Sequence, residues 1–371
     1  RMSQDVVIVG GGVIGLTTAY ELAGRGFKVT LLDQQQPGQE ASWAGAGILP
    51  PAHPGDPTHL LSGLCRATNS LWPKLSAELR ETTGIDNGFR HCGGLGVSDI
   101  GDTESLQSEV QAWQQAGTVV ETLANSNIQS CEQAVSTEIH QAYRLPDLAQ
   151  VRNPWHLKTL LVSCQLRGVD IRPGQRVVGF ELNHARVTSV QTTHDRFEAG
   201  AFVVAAGAWS QELLKGAGSP LQIEPVRGQI VLLSCPKPPF RHVIECGPRY
   251  LVPREDGRVL VGSTEEWVGY VKQNTALGLQ GLLTFAQRLV PSLKDARFER
   301  AWAGLRPHTK HGMPFIGRVP DTQNLFVAAG HFRAGLHLSP ITARVISQLI
   351  NGENPDLDVS GFSPAIAVSE E

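Results

Sequence analysis

The clearest chemistry in the chain lies in three glycines, Gly10, Gly12 and Gly15, which follow an apolar run at 6–9. Gly10 would allow a tight turn, Gly12 would let backbone approach a pyrophosphate, and Gly15 would let a helix pack closely on a strand. The N-terminus of that helix would offer N–H groups and a favourable dipole to phosphate. Asp33 ends the next strand and would accept a ribose hydroxyl, which disfavours a 2′-phosphate. The pattern predicts a site for FAD or NAD rather than NADP; a glycine turn without a ligand is the alternative.

Two later apolar segments, 202–207 and 325–330, also end in small residues. A single NAD domain would not usually need them. In an open α/β sheet, ligands lie beyond the carboxyl ends of the strands, so the three glycine-bearing strand ends would face one cofactor. Ser339 and Pro340 then predict the start of a final helix that runs through Leu349.

The segments between these strands have a different character. Alternating, β-rich runs at 229–233 and 258–262 favour antiparallel strands. We therefore expect a mixed α/β (α+β) fold, in which a Rossmann-like FAD-binding domain carries an inserted antiparallel-sheet domain that binds substrate at the boundary. The expected FAD-binding segments are 1–85, 146–221 and 301–371, and the expected substrate-binding segments are 86–145 and 222–300.

Composition excludes several classes of partner. The 371 residues include 32 basic and 35 acidic side chains, for a net charge of −3, so nothing predicts binding to nucleic acid or to an anionic membrane. No apolar stretch approaches the roughly 18 residues of a spanning helix, and we expect a cytoplasmic protein. The six cysteines form no C-x-x-C pair and are expected to be reduced, and the twelve histidines show no ligand spacing, so no metal is expected.

Six sequence blocks follow one another along the chain. They are the glycine turn at 10–15 and the segments 41–49, 204–210, 225–229, 302–307 and 330–335. Together they resemble the D-amino-acid oxidase family of flavoenzymes, and most of all its glycine-oxidising members. The resemblance extends over nearly the whole chain.

The resemblance implies non-covalent FAD, held by the glycine turn, the segment after the second strand and the last loop. The small residues at 44–47 suit this role because they leave backbone N–H groups uncovered beside a planar ring; tight packing without a ligand is the alternative. The implied cofactor-binding residues are Gly10, Gly12, Val13, Ile14, Gly15, Asp33, Gln34, Ala41, Ser42, Ala46, Gly47, Ile48, Val177, His331, Phe332, Arg333, Ala334, Gly335, Leu336 and His337.

Three side chains are candidates for substrate binding. Arg306 lies in an apolar setting where a guanidinium needs an anion. The resemblance gives it a bidentate pair with the substrate carboxylate, and an internal salt bridge is the alternative. Tyr250 would give that carboxylate a second hydrogen bond, unless it is a core tyrosine, and Arg333 would border flavin and substrate, unless it is a surface residue. No side chain is expected to act as a catalytic acid or base.

The implied reaction is oxidative deamination of glycine, sarcosine, D-alanine or D-proline by oxygen. Its products would be a 2-oxo acid, ammonia or methylamine, and hydrogen peroxide, with glycine imine supplied for the thiazole of thiamine. The family also implies a homo-oligomer, expected to be a tetramer. A dehydrogenase for D-amino acids or sarcosine that passes electrons to a carrier, and a non-catalytic flavin- or NAD-binding regulator, are the alternatives.

The sequence departs from its nearest relatives at Ala334, His337 and Glu265. Glu265 stands where some members of the family place an apolar pocket residue. A carboxylate there would repel acidic side chains or attract a cationic amine, and the sequence does not decide between these outcomes.

Overall fold

The computed structural model describes residues 5–98, 103–219 and 221–368. Within them the strands are β1 (Asp5–Val9), β2 (Lys28–Leu32), β3 (Ile48–Leu49), β4 (Arg90–His91), β5 (Gly94–Val97), β6 (Glu121–Ala124), β7 (Gln141–Leu145), β8 (Ala149–Gln150), β9 (Asp170–Arg172), β10 (Val177–Asn183), β11 (Arg186–Thr192), β12 (Arg196–Glu198), β13 (Ala201–Val204), β14 (Glu224–Ser234), β15 (Val243–Cys246), β16 (Arg249–Pro253), β17 (Arg258–Gly262), β18 (Arg297–His308), β19 (Phe315–Arg318) and β20 (Leu325–Ala329). The helices are α1 (Val13–Gly24), α2 (Ala41–Ala44), α3 (Leu60–Thr83), α4 (Thr103–Gln115), α5 (Ser126–Cys131), α6 (Asn153–Leu166), α7 (Ser210–Gly216), α8 (Ala276–Leu289) and α9 (Gly335–Ile350).

A six-stranded sheet has the order β19-β20-β13-β1-β2-β9, and its strands are parallel except for β19. Helices α1, α3, α6 and α9 contribute to the apolar core on one face, and the small antiparallel sheet β10-β11-β12 packs against the other. Because β20, β13 and β1 are adjacent and parallel, their carboxyl ends lie side by side. The predicted convergence of the three strand ends is confirmed.

The glycine turn connects β1 to α1 as predicted. Gly10 has a φ of 108°, a left-handed conformation that favours glycine, and a Cβ there would overlap the Ala205 carbonyl oxygen at the end of β13. A Cβ at Gly15 would overlap the carbonyl oxygen of Gly10. The turn therefore lets the first helix lie directly on the ends of two strands.

The final helix begins earlier than predicted. α9 begins at Gly335 rather than Ser339, and Pro340 lies inside it. Proline cannot donate to the carbonyl four residues before it, but the Ser339 hydroxyl donates to that carbonyl, of Leu336, at 2.9 Å. This local compensation allows the helix to continue through the proline, so its first turn can reach the cavity described below.

The second large sheet has eight strands in the order β18-β14-β17-β16-β15-β5-β7-β6. All its pairs are antiparallel except β5 with β15. Strand β18 pairs with β14 along its length, so residues 301–308, which were assigned to the FAD-binding segments, belong to this sheet. The mixed fold with a parallel nucleotide sheet and a largely antiparallel second sheet is confirmed, and the division into domains stays a prediction.

Two further observations concern partners. Among the residues that the structure describes, no helix combines the length and apolar character needed to cross a bilayer. In the same residues no three His, Cys, Asp or Glu side chains converge as metal ligands would.

Candidate active site and cofactor cavity

One deep cavity joins the carboxyl edge of the six-stranded sheet to a face of the eight-stranded sheet. Every predicted site residue except Gly15 lines it, including Arg306, Tyr250 and Arg333 from the second half of the chain. Gly15 lies beneath the cavity wall, against Gly10. The structure thus brings together residues that are more than 300 positions apart in sequence.

Asp33 lines the cavity directly after the end of β2. Its Oδ2 accepts from the Gly11 N–H at 2.8 Å and its Oδ1 accepts from the Gln35 N–H at 2.8 Å. Burial raises the pKa of the Asp33 carboxyl, and the two backbone donors partly oppose that shift. The carboxyl is therefore fixed in place with lone pairs still able to accept hydroxyl protons.

The N-terminus of α1 opens into the same cavity, and one of its donors is already used. The Val13 N–H donates to the Ser42 hydroxyl at 2.9 Å. Ser42 thereby ties the segment 41–49 to the glycine turn, a contact that no sequence spacing indicates. Phosphate at this helix end would meet the remaining first-turn N–H groups and the helix dipole.

The segment 44–47 forms a tight backbone wall. Gly47 has a φ of 75°, and a Cβ there would overlap the Val151 carbonyl oxygen. Asn153 donates from its Nδ2 to the Ser42 carbonyl at 2.7 Å, while its buried Oδ1 has no partner among the described residues. That oxygen is shielded from solvent, so this segment presents its backbone, rather than the Asn153 amide, to a ligand in the cavity.

Arg254 supports this wall from behind and was missed by the sequence reasoning. Its guanidinium, buried with 5% exposure, donates to the Ala46 carbonyl at 2.7 Å and to the Val151 carbonyl at 3.1 Å. Burial lowers the pKa of Arg254 to about 9. Its partners are these two backbone carbonyls and the Gln150 Oε1, 104 positions away, which accepts at 2.6 Å, so nothing in the sequence around 254 distinguishes it from a surface arginine.

The last loop and the first turn of α9 form another part of the cavity wall. His331 lies 3.0 Å from the Thr342 hydroxyl, and His337 lies 2.6 Å from Asn69 Oδ1. Burial lowers the pKa of both imidazoles to about 3, so both are neutral at physiological pH. His337 also ties α9 to α3, since its carbonyl accepts from the Trp72 indole at 2.9 Å. The departure at 337 thus has a structural role at the cavity wall.

Arg306 reaches into the cavity from β18. Its guanidinium crosses Gly228 of β14, where any Cβ would overlap it, and donates to Ser263 Oγ at 2.5 Å and to the Thr264 carbonyl at 3.2 Å. Burial lowers its pKa, and the adjacent Tyr250 phenol and Glu265 oppose the shift. Among the described residues no carboxylate forms an ion pair with it, so the predicted alternative of an internal salt bridge is not observed.

Glu266 organises the strands under Arg306 and was also missed. It accepts from Arg227 Nε at 2.9 Å, from Gln229 Nε2 at 2.9 Å and from the Thr264 hydroxyl at 2.8 Å. The Arg227 contact and the other donors lower the pKa of Glu266 to about 2. This network explains the block at 225–229: its arginine and glutamine fix the loop whose Ser263 and Thr264 hold Arg306.

Two carboxylates, Glu265 near Arg306 and Glu245 beside Tyr250, differ in their surroundings. Glu265 forms an ion pair with Arg333, and Glu265 does not line the cavity. Glu245, which the sequence reasoning did not single out, does line it. Glu245, rather than Glu265, is therefore the carboxylate that could repel an acidic substrate side chain or attract a cationic one.

Comparisons with known proteins agree with this geometry. Residues 5–349 match the family DAO, described as FAD dependent oxidoreductase. The chain is 37% identical over 367 residues to glycine oxidase of Pseudomonas putida, covering 98% of this chain and 99% of that protein. It is 34% identical over 365 residues to the bifunctional protein ThiO/ThiG of Trichormus variabilis, covering 97% of this chain and 55% of that protein. The crystal structure of glycine oxidase from Geobacillus kaustophilus matches with a TM-score of 0.93 and 31% identity over 97% of each chain.

The chain therefore belongs to the DAO family of FAD-dependent oxidoreductases, as its motifs predict, and FAD is its cofactor. The residues present fit that cofactor. Asp33 offers a carboxylate, the N-terminus of α1 offers donors for phosphate, and the backbone at Gly47, where a Cβ would not fit, offers a close approach to a flat ring.

Proposed function

We propose that this enzyme is an amino-acid oxidase that acts on glycine and other small amines, including sarcosine, D-alanine and D-proline. The observation that carries the proposal is Arg306, a cation inside the FAD cavity whose observed donors go to neutral oxygens. A substrate carboxylate would supply the missing anion through a bidentate pair. The relative named glycine oxidase in Pseudomonas putida supports the choice of substrate.

Arg306 and Tyr250 together form what we call the carboxylate clamp. The guanidinium presents a planar fork and the phenol adds a second hydrogen bond, so the α-carbon of the substrate is held in one orientation. When bound, FAD supplies the acceptor for the hydride lost from that carbon. Orientation is the main task of the side chains, and we assign none of them a role as acid or base.

The overall reaction balances without any further group. The substrate loses two electrons and two protons, oxygen takes them up as hydrogen peroxide, and water replaces the nitrogen to give a 2-oxo acid. Glycine would yield glyoxylate and ammonia, and sarcosine would yield glyoxylate and methylamine. The peroxide and the 2-oxo acid are therefore expected in equal amounts.

We propose that FAD is held without a covalent bond by the predicted residues that line the cavity. Asp33 and Gln34 would bind the ribose side, Gly12, Val13 and Ile14 the pyrophosphate, and Val177 the adenine end. The remaining members would enclose the ring system: Ala41, Ser42, Ala46, Gly47, Ile48, His331, Phe332, Arg333, Ala334, Gly335, Leu336 and His337. Gly10 and Gly15 would shape the turn beneath them.

We also propose that glycine imine made here feeds formation of the thiazole of thiamine. The support is the relative named bifunctional protein ThiO/ThiG, of which this chain matches about half the length. Measuring thiazole formation with and without this enzyme in a thiamine-requiring extract would test this use of the product.

A substrate panel tests the proposed activity. Purified protein is supplied with glycine, sarcosine, D-alanine, D-proline and L-alanine, and peroxide, oxygen uptake and 2-oxo acid are measured together. We expect the first four to give equal amounts of peroxide and 2-oxo acid and L-alanine to give neither. Turnover of glycine only with an artificial electron acceptor would identify a dehydrogenase, and efficient oxidation of L-alanine would contradict the pocket.

A further inference from the structure

A row of five residues crosses the eight-stranded sheet beside the carboxylate clamp. The row runs across the neighbouring strands β17, β16, β15, β5 and β7. Each strand contributes one residue that pairs directly with the next: in order, Gly262, Tyr250, Glu245, Gly96 and Tyr143. Residues paired in this way share a face of the sheet. Both Tyr250 and Glu245 line the FAD cavity. Glu245 is therefore the next strand neighbour of the clamp tyrosine on the side away from Arg306.

The glycines in the row let the two tyrosine rings lie flat over neighbouring strands. A Cβ at Gly262 would overlap the Tyr250 ring, and a Cβ at Gly96 would overlap the Tyr143 ring. The Tyr143 hydroxyl donates to Glu109 Oε2 at 2.8 Å and accepts from the Trp113 indole at 3.3 Å. The Tyr143 hydroxyl therefore donates its proton to Glu109 and not to Glu245, which lines the cavity.

Glu245 differs from other carboxylates near the second sheet. Glu265 pairs with Arg333, Glu266 with Arg227, and Glu132 with His242. Among the described residues, Glu245 has neither an ion-pair partner nor a hydrogen-bond donor. Burial and the nearby Glu109 raise the pKa of Glu245 to about 7, with Arg333 opposing them. A positively charged group on the ligand would give the Glu245 carboxylate the ion-pair partner that the described residues do not supply.

The distance between the carboxylate clamp and Glu245 determines how long a ligand must be to contact both. Ser263, beneath the Arg306 guanidinium, follows β17, and Glu245 lies on β15, two strands away. Two strand spacings separate the backbones of Ser263 and Glu245 by roughly 10 Å, so we expect glycine held by the clamp to fall short of the Glu245 carboxylate. An amino acid with an ammonium group three to four carbons beyond the α-carbon spans both ends of the pocket.

We propose that Glu245 is a specificity-determining residue that binds a cationic group at the end of the substrate opposite its carboxylate. The inference rests on the proposed function, because it takes Arg306 and Tyr250 as the site of the carboxylate. It extends the substrate class from small amines to D-amino acids with a basic side chain, such as D-lysine and D-ornithine. It also disfavours D-aspartate and D-glutamate, because the negative charge of Glu245 would repel a second carboxylate in the same cavity.

Two unreactive probes isolate this contact from turnover. Valerate and 5-aminovalerate differ by one distal ammonium group and lack the α-amine that is oxidised, so their Kd values can be read from the flavin absorbance of the FAD-loaded enzyme. At pH 8.5 we expect 5-aminovalerate to bind at least 10-fold more tightly than valerate. In Glu245→Gln we expect that preference to fall at least 5-fold, with the Kd for valerate unchanged or lower.

Glu138→Gln is the matched control because Glu138 is exposed and outside the cavity. It should retain the full preference. An equal ratio of Kd values in the wild type and Glu245→Gln would overturn the proposal. Glycine oxidation measured on the same samples separates the two claims. If glycine is oxidised but the ratio of Kd values is the same in Glu245→Gln as in the wild type, only the cation site is refuted. If the ratio falls in Glu245→Gln but glycine is not oxidised by the wild type, only the proposed function is refuted.

A pH series on the wild type needs no variant. The groups that face Glu245 are Glu109, Tyr143, Tyr250 and Arg333, and the ammonium of 5-aminovalerate stays charged below about pH 10. The preference for 5-aminovalerate should rise between pH 6 and pH 8.5 as the Glu245 carboxylate loses its proton. A preference that is flat across this range would contradict a charge contact at Glu245.

Discussion

Arg306 combines burial, charge and neutral partners in a way that constrains the ligand. In the described part of the chain, this guanidinium has lost much of its hydration and forms its hydrogen bonds with neutral groups, so its charge is incompletely compensated. An anion with two coplanar oxygens restores that balance better than a halide or a single hydroxyl does. The residue thus favours a carboxylate substrate whatever group the α-carbon carries.

We expect Arg306→Ala to lower kcat/KM for glycine by roughly 10²-fold, about 3 kcal/mol, because a charge-assisted contact to the substrate is lost. Arg306→Lys should recover part of the loss, since an ammonium cannot make the bidentate fork. The bound FAD, read as the absorbance ratio of flavin to protein, should be unchanged. Arg318→Ala, at an exposed position on β19, is the control. Wild-type kcat/KM in flavin-loaded Arg306→Ala would remove this residue from the substrate site.

Individual residues could be predicted from the sequence only where a motif carried them. The glycine turn and Asp33 follow from local spacing, and all but Gly15 line the cavity. Pairing of Arg306 with Tyr250 was available only from the family resemblance, because contacts across strands leave no local pattern. The role of Glu245 could not be predicted for the same reason, because whether a strand residue faces a cavity or solvent depends on what packs against each face of the sheet.

At the scale of elements, β14 holds Arg306 in position through a residue with no side chain. Gly228 lies directly under the guanidinium. We expect Gly228→Ala to push the flexible end of Arg306 out of the clamp, raising KM for glycine by 10-fold or more while Tm and FAD content change little. Gly179→Ala, at a strand glycine where an added Cβ would meet no other atom, should alter none of these quantities. A large fall in Tm for Gly228→Ala would show that the strand, rather than the arginine, absorbs the change.

The loop after β17 depends on the Glu266 network, and its stability should depend on pH. The pKa of Glu266 is lowered from 4.5 to about 2, so its contribution is fully present above about pH 4.5 and is lost as the pH falls toward 2. We expect the wild type to unfold at higher urea concentration than Glu266→Gln at pH 6, with the difference shrinking by pH 3. Glu138→Gln should follow the wild type at both values. A difference that persists unchanged to pH 3 would assign the stabilisation to packing.

Helix α9 shows how an element boundary escapes local sequence rules. Serine followed by proline is a typical helix start, yet here the helix begins four residues earlier, and the serine satisfies the carbonyl that the proline leaves free. The earlier start is stabilised by tertiary contacts, since α9 packs on α1 and α3 in the core of the first sheet. The local sequence pattern does not predict the contacts of α9 with α1 and α3.

At the scale of the whole molecule, the cavity is shared between two sheets of different construction. The parallel sheet supplies the strand ends for the nucleotide, and the eight-stranded sheet supplies the face that carries Tyr250 and Glu245. This division was predictable because periodicity separates buried parallel strands from alternating antiparallel ones. The boundary near residue 301 was harder to predict, because one long strand crosses it without a break in composition.

Because FAD would contact both sheets, its binding should stabilise the entire fold. At free FAD 100 times its Kd, the gain is about 2.7 kcal/mol, so FAD should raise the Tm of cofactor-stripped protein by several degrees. FMN, which lacks the adenosine half, should raise it much less, and NADP should not raise it, since its 2′-phosphate would approach the Asp33 carboxylate. Asp33→Ala should reduce the shift given by FAD more than the shift given by FMN. An equal rise with FMN and FAD would mean that the Asp33 end of the cavity does not hold the adenosine.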